Sequence, residues 1–400
     1  MKMERVKKAI TRIAATPDSR LSDVVPLRQR CLLLPVLSLA SSLYGLSISL
    51  RRSLFLCRLL SPARLPVPVI SVGNITWGGN GKTPMVEFIS RFFHQSGIAP
   101  LILTRGYGGG DEAKMLERHL VGTSAKVGVG KNRAEVAASI IKKIGHTNSL
   151  SLLDDEKSED HFQTEKVGVV ILDDGLQHWS LVRQVEIIMI NGLMPWGNGH
   201  LIPRGPLREP LNALQRADII VIHHANLVSE AELKTIELTI LRNCSKTIPV
   251  FFSELVPSHF FEIKSPNEKL PLSTVHGLVV LCVSAIGCPD SFVKALIEIG
   301  ALHIHRLDFS DHHAVQSEDI KLIRDEIRSL ALVHDNKAAL VVTEKDYDRD
   351  PVVLQKLGDF KILVLCSSFR IMTFNSEGEE GFKAKVKELV CKNFANNTSL

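Results

Sequence analysis

The sequence predicts an α/β protein: a phosphate-loop sandwich of helices about a parallel sheet, then a second, smaller α/β lobe. Three observations carry this. Short apolar runs alternate with segments of helical period, the pattern of a parallel sheet covered on both faces. One such run leads through "SVGNITWGGNGKTP" into a helix. The alternation breaks near residue 248 and resumes near residue 277.

Four hundred residues hold one large domain or two ordinary ones. The 48 basic and 43 acidic residues leave a net charge of +5. That is too mild for wholesale nucleic-acid binding, and no basic run is interleaved with aromatics. The seven cysteines are scattered, with no C-x-x-C pair. This excludes a disulfide framework, speaks against a zinc site and suits a reducing compartment.

The chain opens with a basic leader over residues 1–30. Lys2, Arg5, Lys7, Lys8 and Arg12 face a single early acid, Glu4. It reads either as a mitochondrial transit peptide or as a basic arm at a membrane surface. Residues 31–50 then carry no charge, a length that could span a bilayer. Yet Ser38, Ser41, Ser42, Gly45 and Ser49 recur at helical spacing, while Leu37, Leu39, Leu43, Leu46 and Leu50 populate other faces. A helix over 31–60 lying in the membrane interface is expected, with Arg51, Arg52 and Arg58 among headgroup phosphates. A helix packed on its own domain would show the same pattern.

The first lobe covers residues 61–245. Strands are expected at 67–72, 99–103, 167–172, 185–190 and 219–222. A helix over 83–95 puts Met85, Phe88, Ile89 and Phe92 on one face. Residues 145–166 are polar and charged, the texture of a surface loop or insertion. "IPVFFSELVP" and "HFFEI" read as two strands joined by a turn, a ribbon between lobes within 246–276. The second lobe, 277–400, has strand candidates at 278–283, 303–307, 338–342 and 361–365. A cleft between two lobes is a common ligand site.

The strand-loop-helix around "NITWGGNGKTP" is the context a phosphate loop requires. Gly78, Gly79 and Gly81 let backbone N–H groups turn toward phosphate oxygens, and the helix start adds its dipole. Lys82 would reach the β- and γ-phosphates, and Thr83 would ligate Mg²⁺. The nucleotide contacts are thus expected from Thr76, Trp77, Gly78, Gly79, Asn80, Gly81, Lys82 and Thr83. Thr76 stands where such loops usually have glycine. The strand "VGVVILDDG" ends in Asp173 and Asp174, the acids a nucleotide-bound metal needs. His178 follows, as a phosphate contact or a structural residue.

"LTRGYGGGDE" carries Arg105, Asp111 and Glu112 in a glycine-rich loop. "WGNGHLIPRGPLREPL" presents Asn198, Arg204, Arg208 and Glu209 among rigid turns. Arginines so placed suit an anionic substrate. "DFSDHHAV" gathers Asp311, His312 and His313 at a strand end. Acid–base work or substrate binding fits that triplet better than metal ligation, because no third ligand-rich motif supports a metal site.

Together these stretches resemble one family, the tetraacyldisaccharide 4'-kinases. The resemblance runs from about residue 32 to about residue 346. It includes "RLPVPVISVGNITWGGNGKTP", "LTRGYGGG", "GDEAKML", "ILDDGLQH", "GNGHLIPRGPLREPL", "FSDHH" and "VTEKD". The family's own loop has threonine where Thr76 stands. The resemblance implies phosphorylation by ATP of the 4'-hydroxyl of a tetraacylated glucosamine disaccharide 1-phosphate, a step of lipid A synthesis. It implies a P-loop kinase-like α/β/α sandwich, a second lobe joined by a two-stranded linker, and a membrane-associated N-terminal helix. By the same resemblance Lys82 and Thr83 serve nucleotide and metal, and Asp173 and Asp174 serve the metal. Asp111 matches the acid that activates the sugar hydroxyl and His312 its helper, while Arg208 and Glu209 match residues at the lipid site. "VTEKD" lacks the spacing of a guanine-reading motif, which favours ATP.

Two departures stand out: almost no chain between "RGYGGG" and "GDE", and the added loop at 145–166. With the long leader they point to a eukaryotic, organelle-targeted member, peripheral on a mitochondrial membrane. A bacterial member would sit on the cytoplasmic face of the inner membrane. The competing readings are an NTPase switch at a membrane, which would need no Asp111–His312 pair, and a kinase for another glycolipid.

Overall fold

The computed structural model describes residues 2–106, 110–147, 165–335, 337–373 and 377–398, with backbone alone for 2–8, 111 and 396–398. Three helices come first: α1 (Lys2–Ala15), α2 (Leu21–Val24) and α3 (Leu27–Leu56). The next stretch runs β1 (Val69–Asn74), α4 (Lys82–Gln95), β2 (Ala99–Thr104), α5 (Asp111–His119), β3 (Lys126–Val129) and α6 (Arg133–Ile144). It continues through β4 (Val167–Asp173), β5 (Val185–Asn191), β6 (Ile219–His223), α7 (Glu230–Asn243), β7 (Val250–Glu262) and β8 (Ser265–Leu270). Then come β9 (Val279–Ser284), α8 (Pro289–Ile299), β10 (His303–Asp308), α9 (Ser317–Val333) and β11 (Ala338–Thr343). The short helices α10 (Glu344–Arg349) and α11 (Pro351–Gln355) precede β12 (Ile362–Ile371) and α12 (Gly378–Thr398).

The twelve described strands form one sheet in the order β10-β9-β11-β12-β7-β6-β5-β1-β4-β2-β3, with β8 paired to β7. All neighbours are parallel except where β7 meets β12 and β8. The central strands β1, β4 and β5 are buried along their whole length, and most of their residues are apolar. Alternation along β5 sends Ile187 and Met189 into one core with α4 and α12, and Ile188 and Ile190 into another with α7. Helices thus cover both faces, the α/β/α sandwich expected. Around β9, β11 and β12 two further cores repeat the arrangement, with α9 on one face and α8 on the other.

The connection between the halves differs from the sequence expectation. A single thirteen-residue strand, β7, replaces the two strands and turn expected there. Its start is parallel to β6, through Ile220↔Val250 to His223↔Ser253, and the rest is antiparallel to β12. The two-stranded neck is therefore β7 with β12, whose partner lies about a hundred residues downstream, rather than a local hairpin. The proline that suggested a turn, Pro257, sits at a bulge where the ladder shifts opposite Cys366 and Ser367. A strand proline lacks the N–H for the ladder and is accommodated at such a bulge. The edge strand β3 escaped the sequence reading because it is four residues long and only half apolar.

The last helix also departs from the expected boundary at 277–400. Phe382, Val386 and Val390 of α12 pack in the core of β1, β4, β5 and α4. The chain therefore returns to the phosphate-loop half.

At the N-terminus, Ser38, Ser41 and Gly45 of the α3 stripe face the protein, whereas Ser42 and Ser49 are exposed. Ser41 donates to the Leu201 carbonyl at 2.8 Å and accepts from the Arg204 N–H at 3.0 Å, and Tyr44 donates to the Arg208 carbonyl at 3.0 Å. Leu32, Val36, Leu39, Leu43, Leu46 and Leu50 form the opposite stripe, each 60–66% exposed. Part of the leader is built into the fold: Ile13 is buried against Leu21, Val25 and Leu37.

Phe382 touches Phe251 edge-on at 5.3 Å and Phe88 at 5.9 Å, and it is fully buried. Phe382→Ala should cost about 3–5 kcal/mol in denaturant unfolding. A loss below 1 kcal/mol would place α12 outside the core.

Candidate active site

β1 delivers the chain into the phosphate loop, and α4 starts at Lys82. Gly81 takes a left-handed φ of 75°, and an added Cβ would lie 2.5 Å from the His223 ring. Backbone and space both demand glycine there. Side chains hold the loop from behind. The Thr76 hydroxyl donates to Asn80 Oδ1 at 3.1 Å, and the Asn80 amide donates to the Gly78 carbonyl at 2.7 Å. Asn191 donates to the Gly79 carbonyl at 3.0 Å. Gly78, Gly79, Asn80, Gly81, Lys82 and Thr83 line a cleft of about 840 Å³. The first turn of α4 leaves N–H groups without intrahelical partners, a ready anion site. Thr76 and Trp77 do not line the cleft. Thr76 braces Asn80, and the Trp77 N–H donates to the Pro206 carbonyl at 2.9 Å.

β4 ends in the two acids. Asp173 is 4% exposed, and its Oδ1 has no hydrogen-bond partner. Burial pushes its carboxyl above the usual carboxylate range, against the pull of Lys82. Burial would raise Asp174 too, but Lys82 and Arg208 outweigh it and hold that carboxyl well below the usual range. Arg208 Nη1 donates to both Asp174 oxygens at 2.7 and 2.8 Å, and Lys82 Nζ is 3.7 Å away. Arg133, nearly buried, donates to the Asp174 carbonyl at 3.1 Å.

An unpaired buried carboxylate oxygen is costly unless a cation or donor arrives. With Thr83 lining the same cleft, the donor set fits a hard cation. Among the described residues no group of three or more His, Cys, Asp or Glu gathers around a metal position. A Mg²⁺ here would keep few protein ligands and take the rest from phosphate and water, as is usual for that ion.

The far wall comes from the other half of the sheet. The loop after β9 lies backbone to backbone on the phosphate loop: a Cβ on Gly287 would fall 2.2 Å from the Gly79 nitrogen. The loop after β10 brings Asp311 and His312. His312 Nε2 is 3.3 Å from Lys345 Nζ, 3.6 Å from Glu112 Oε1 and 3.8 Å from Asp311 Oδ1. Lys345 Nζ lies 3.5 Å from the same Glu112 oxygen. Glu112 belongs to α5 in the phosphate-loop half, so this cluster closes across the cleft. Asp111 is the first residue of α5, but its side chain lies outside the described residues, as do residues 107–109 and most of the 145–166 loop.

The structure therefore gathers Lys82, Thr83, Arg105, Asp173, Asp174, Arg208 and His312 in one cleft. Two expected substrate contacts are placed elsewhere. The Asn198 amide donates to the Ile13 and Arg204 carbonyls at 3.0 and 2.9 Å and so holds its own loop and α1. Glu209 is buried and pairs with Arg216 at 3.3 Å, which in turn covers the Trp179 ring. His178 meets the Ser180 hydroxyl at 3.0 Å. Burial and the arginines around it lower His178 to about 4, so it stays neutral. His313 pairs with Asp319 at 2.7 Å and stacks on Phe309, which separates its role from that of His312. Arg133 and Lys345 were not singled out from sequence. Their signal was position: each stands where a strand hands over to a helix, Lys345 inside the quoted "VTEKD".

Comparison with known proteins places this geometry. The family model of the tetraacyldisaccharide-1-P 4'-kinases matches residues 33–387. An Arabidopsis thaliana protein named "Probable tetraacyldisaccharide 4'-kinase, mitochondrial" is 48% identical over 98% of this chain and 99% of its own. A "Tetraacyldisaccharide 4'-kinase" of Halothermothrix orenii is 34% identical over 79% of this chain and 84% of its own. Among solved structures, LpxK from Aquifex aeolicus in complex with ATP superposes with a TM-score of 0.59 at 23% identity, covering 90% of this chain and 99% of that one. That likeness establishes the fold.

Gly81→Ala should strain the left-handed turn by about 1–2 kcal/mol and push on the His223 ring. Calorimetry should show a lowered melting temperature, and titration with nucleotide a loss of affinity of about tenfold or more. Unchanged binding would mean that the loop does not hold phosphate.

Proposed function

The chain belongs to the tetraacyldisaccharide-1-P 4'-kinase family, and from that premise we propose how its cleft performs the transfer. It is a kinase of lipid A biosynthesis that moves the γ-phosphate of ATP to the 4'-hydroxyl of a tetraacylated glucosamine disaccharide 1-phosphate. The observation that carries this reading is the cluster of Glu112, His312 and Lys345 facing the phosphate loop from across the cleft. A switch that only hydrolyses ATP has no need of acid–base groups on an acceptor side.

The acceptor oxygen forms a bond to the γ-phosphorus as the bond to the β–γ bridging oxygen breaks, and ADP leaves. Lys82 and the N–H groups of residues 78–83 stabilise the charge on the transferring and leaving oxygens. Asp111 takes the hydroxyl proton late in the transfer, and His312, held by Glu112 and Lys345, orients it. Thr83, Asp173 and Asp174 would hold Mg²⁺, which when bound neutralises charge on the phosphate oxygens. Arg208, now on Asp174, and Arg105 serve the anionic groups of the two substrates.

The nucleotide half comprises residues 61–245 together with the returning α12, and the second half runs from 277 to β12. The leader directs the chain to mitochondria, in keeping with the name of the Arabidopsis relative. There α3 lies on a membrane surface, its leucine stripe in lipid and its Ser41 and Tyr44 on the Leu201 and Arg208 carbonyls. The lipid's acyl chains stay in the membrane while its sugar enters the cleft.

The direct test is to incubate the full chain with ATP, Mg²⁺ and the disaccharide in detergent micelles and locate the new phosphate by mass spectrometry. Phosphate on the 4'-oxygen supports the assignment; ATP hydrolysis with no lipid product refutes it. Lys82→Ala should lower kcat on the order of 10²–10³-fold while the protein remains folded. Replacing Leu39, Leu43 and Leu46 together by Ser removes apolar surface worth roughly 1.5–3 kcal/mol per leucine fully buried in lipid. Vesicle sedimentation should show binding reduced at least tenfold, with ATP affinity unchanged. Undiminished vesicle binding would rule out the leucine stripe as the anchor.

A further inference from the structure

Helix α5 has two ends with different work. Its first turn brings Glu112 to His312 and Lys345. Its last two residues, Arg118 and His119, lie two turns away, roughly 10 Å along the axis. There they enter a second charged cluster that the transfer does not use. Arg118 donates through Nε and Nη2 to the two oxygens of Asp348 at 2.8 and 2.9 Å, and through Nη2 to Glu344 at 3.0 Å. His119 meets Glu87 of α4 through Nδ1 at 2.7 Å and Glu344 of α10 through Nε2 at 2.9 Å. Glu344 also accepts from the Ser367 N–H of β12 at 3.2 Å.

This cluster ties four elements together: the phosphate-loop helix α4, the acid-bearing helix α5, α10, and the neck strand β12. Lys345 follows Glu344 directly on α10, so both helices that form the reacting cluster are also pinned by the second one. Both ring nitrogens of His119 face carboxylate oxygens at hydrogen-bond distance. A neutral imidazole can donate from one nitrogen only, so the two carboxylates favour the imidazolium; Arg118 Nη2 also lies 3.1 Å from Nε2.

We propose that Arg118 and His119, with Glu87, Glu344 and Asp348, form a clamp between the two halves that positions the acid end of α5 against His312 and Lys345. These are positioning residues, and the proposal rests on the functional reading above. Bidentate arginine and doubly bonded histidine are suited to this because they fix direction as well as distance.

The charges facing His119 are Glu87 and Arg91 on α4, Arg118 on its own helix, and Glu344 and Asp348 on α10. Burial works against its charge, but Glu344 and Glu87 overcome this and raise the imidazole to about 9. The stabilisation from His119 is therefore complete below its unfolded value of about 6.5 and is lost as pH rises through about 9.

The test uses the full chain and three readouts: kcat with the disaccharide, ATP affinity by calorimetry, and amide hydrogen exchange. His119→Gln should lower kcat about 10–100-fold with ATP affinity within about threefold of the parent. The parent's kcat should fall above pH 9, and the variant should lack that fall. Exchange in α5 and α10 should quicken about tenfold or more, while α12 stays protected. The charge swap Arg118→Asp with Asp348→Arg should recover at least tenfold in kcat over either single variant. The clamp is overturned if folded His119→Gln keeps the parent's kcat and exchange. The positioning role is overturned if kcat and ATP affinity fall together and the swap rescues neither. Should the parent itself transfer no phosphate, the functional reading fails, and the clamp then stands or falls on the exchange result.

Discussion

Asp173 and Asp174 leave water at the end of β4 and meet Lys82, Arg133 and Arg208 there, and the construction of the cleft follows from that meeting. Two adjacent carboxylates in a low-dielectric setting repel each other and lose hydration. Asp174 is compensated by Arg208 and Lys82, whereas Asp173 keeps one oxygen buried and unpaired. Such a site is stable only if the strands beneath it hold fast. β4 lies between β1 and β2, buried along its whole length, and β1 carries the phosphate loop from the neighbouring position. The strain of the charge is thus set against the packing of the sheet centre.

The same sheet explains how groups far apart in sequence reach one place. Parallel strands deliver their C-terminal loops to one edge, so the loops after β1, β4, β9, β10 and β11 all open into the cleft. Among the described strands the sheet joins its halves through the β7–β12 ladder, Leu363–Ile371 against Glu262–Ser253. A two-stranded neck bends easily, so the reacting cluster needs cross-cleft contacts to be held. Those contacts exist at two levels: Gly287 on Gly79 at the loop tips, and the arginine–histidine clamp at the C-terminal end of α5, where His119, Glu87 and Glu344 also line the cleft. The N-terminal helices attach to the phosphate-loop half, because α3 hydrogen-bonds the carbonyls of the loop that ends in Arg208. Membrane placement and the geometry of Arg208 are thereby joined through one helix.

Local chemistry was legible in the sequence. The phosphate loop, the acids at the end of "VVIL" and the His312 triplet each announce themselves within a few residues, because strand, turn glycine and charged group are contiguous. Long-range pairing was not. Nothing local distinguishes one bulged strand at Pro257 from two strands and a turn, since its partner β12 lies over a hundred residues away. The amphipathic α12 carries no mark of which core it fills. The serine stripe of α3 was visible, but whether it met headgroups or carbonyls depended on the Leu201–Arg208 loop. Asn198 and Glu209 sit in a motif dense in functional types, where Asn198 bonds the Ile13 and Arg204 carbonyls and Glu209 pairs with Arg216. Loop residues of this kind satisfy buried backbone and arginine groups, a demand that sequence spacing does not express.

In the proposed function, the buried Asp173 carboxylate with its unpaired Oδ1 would meet a cation that arrives with ATP. Thermal unfolding of the parent and of Asp173→Asn, each with and without ATP·Mg²⁺, measures it most directly. Neutralising the carboxylate removes a desolvation cost of about 1–3 kcal/mol, so the variant alone should melt higher than the parent by roughly 1–4 °C. ATP·Mg²⁺ should raise the melting temperature of the parent, and that gain should largely vanish in the variant. A variant that melts lower than the parent when free, or that gains as much from ATP·Mg²⁺, would contradict the account.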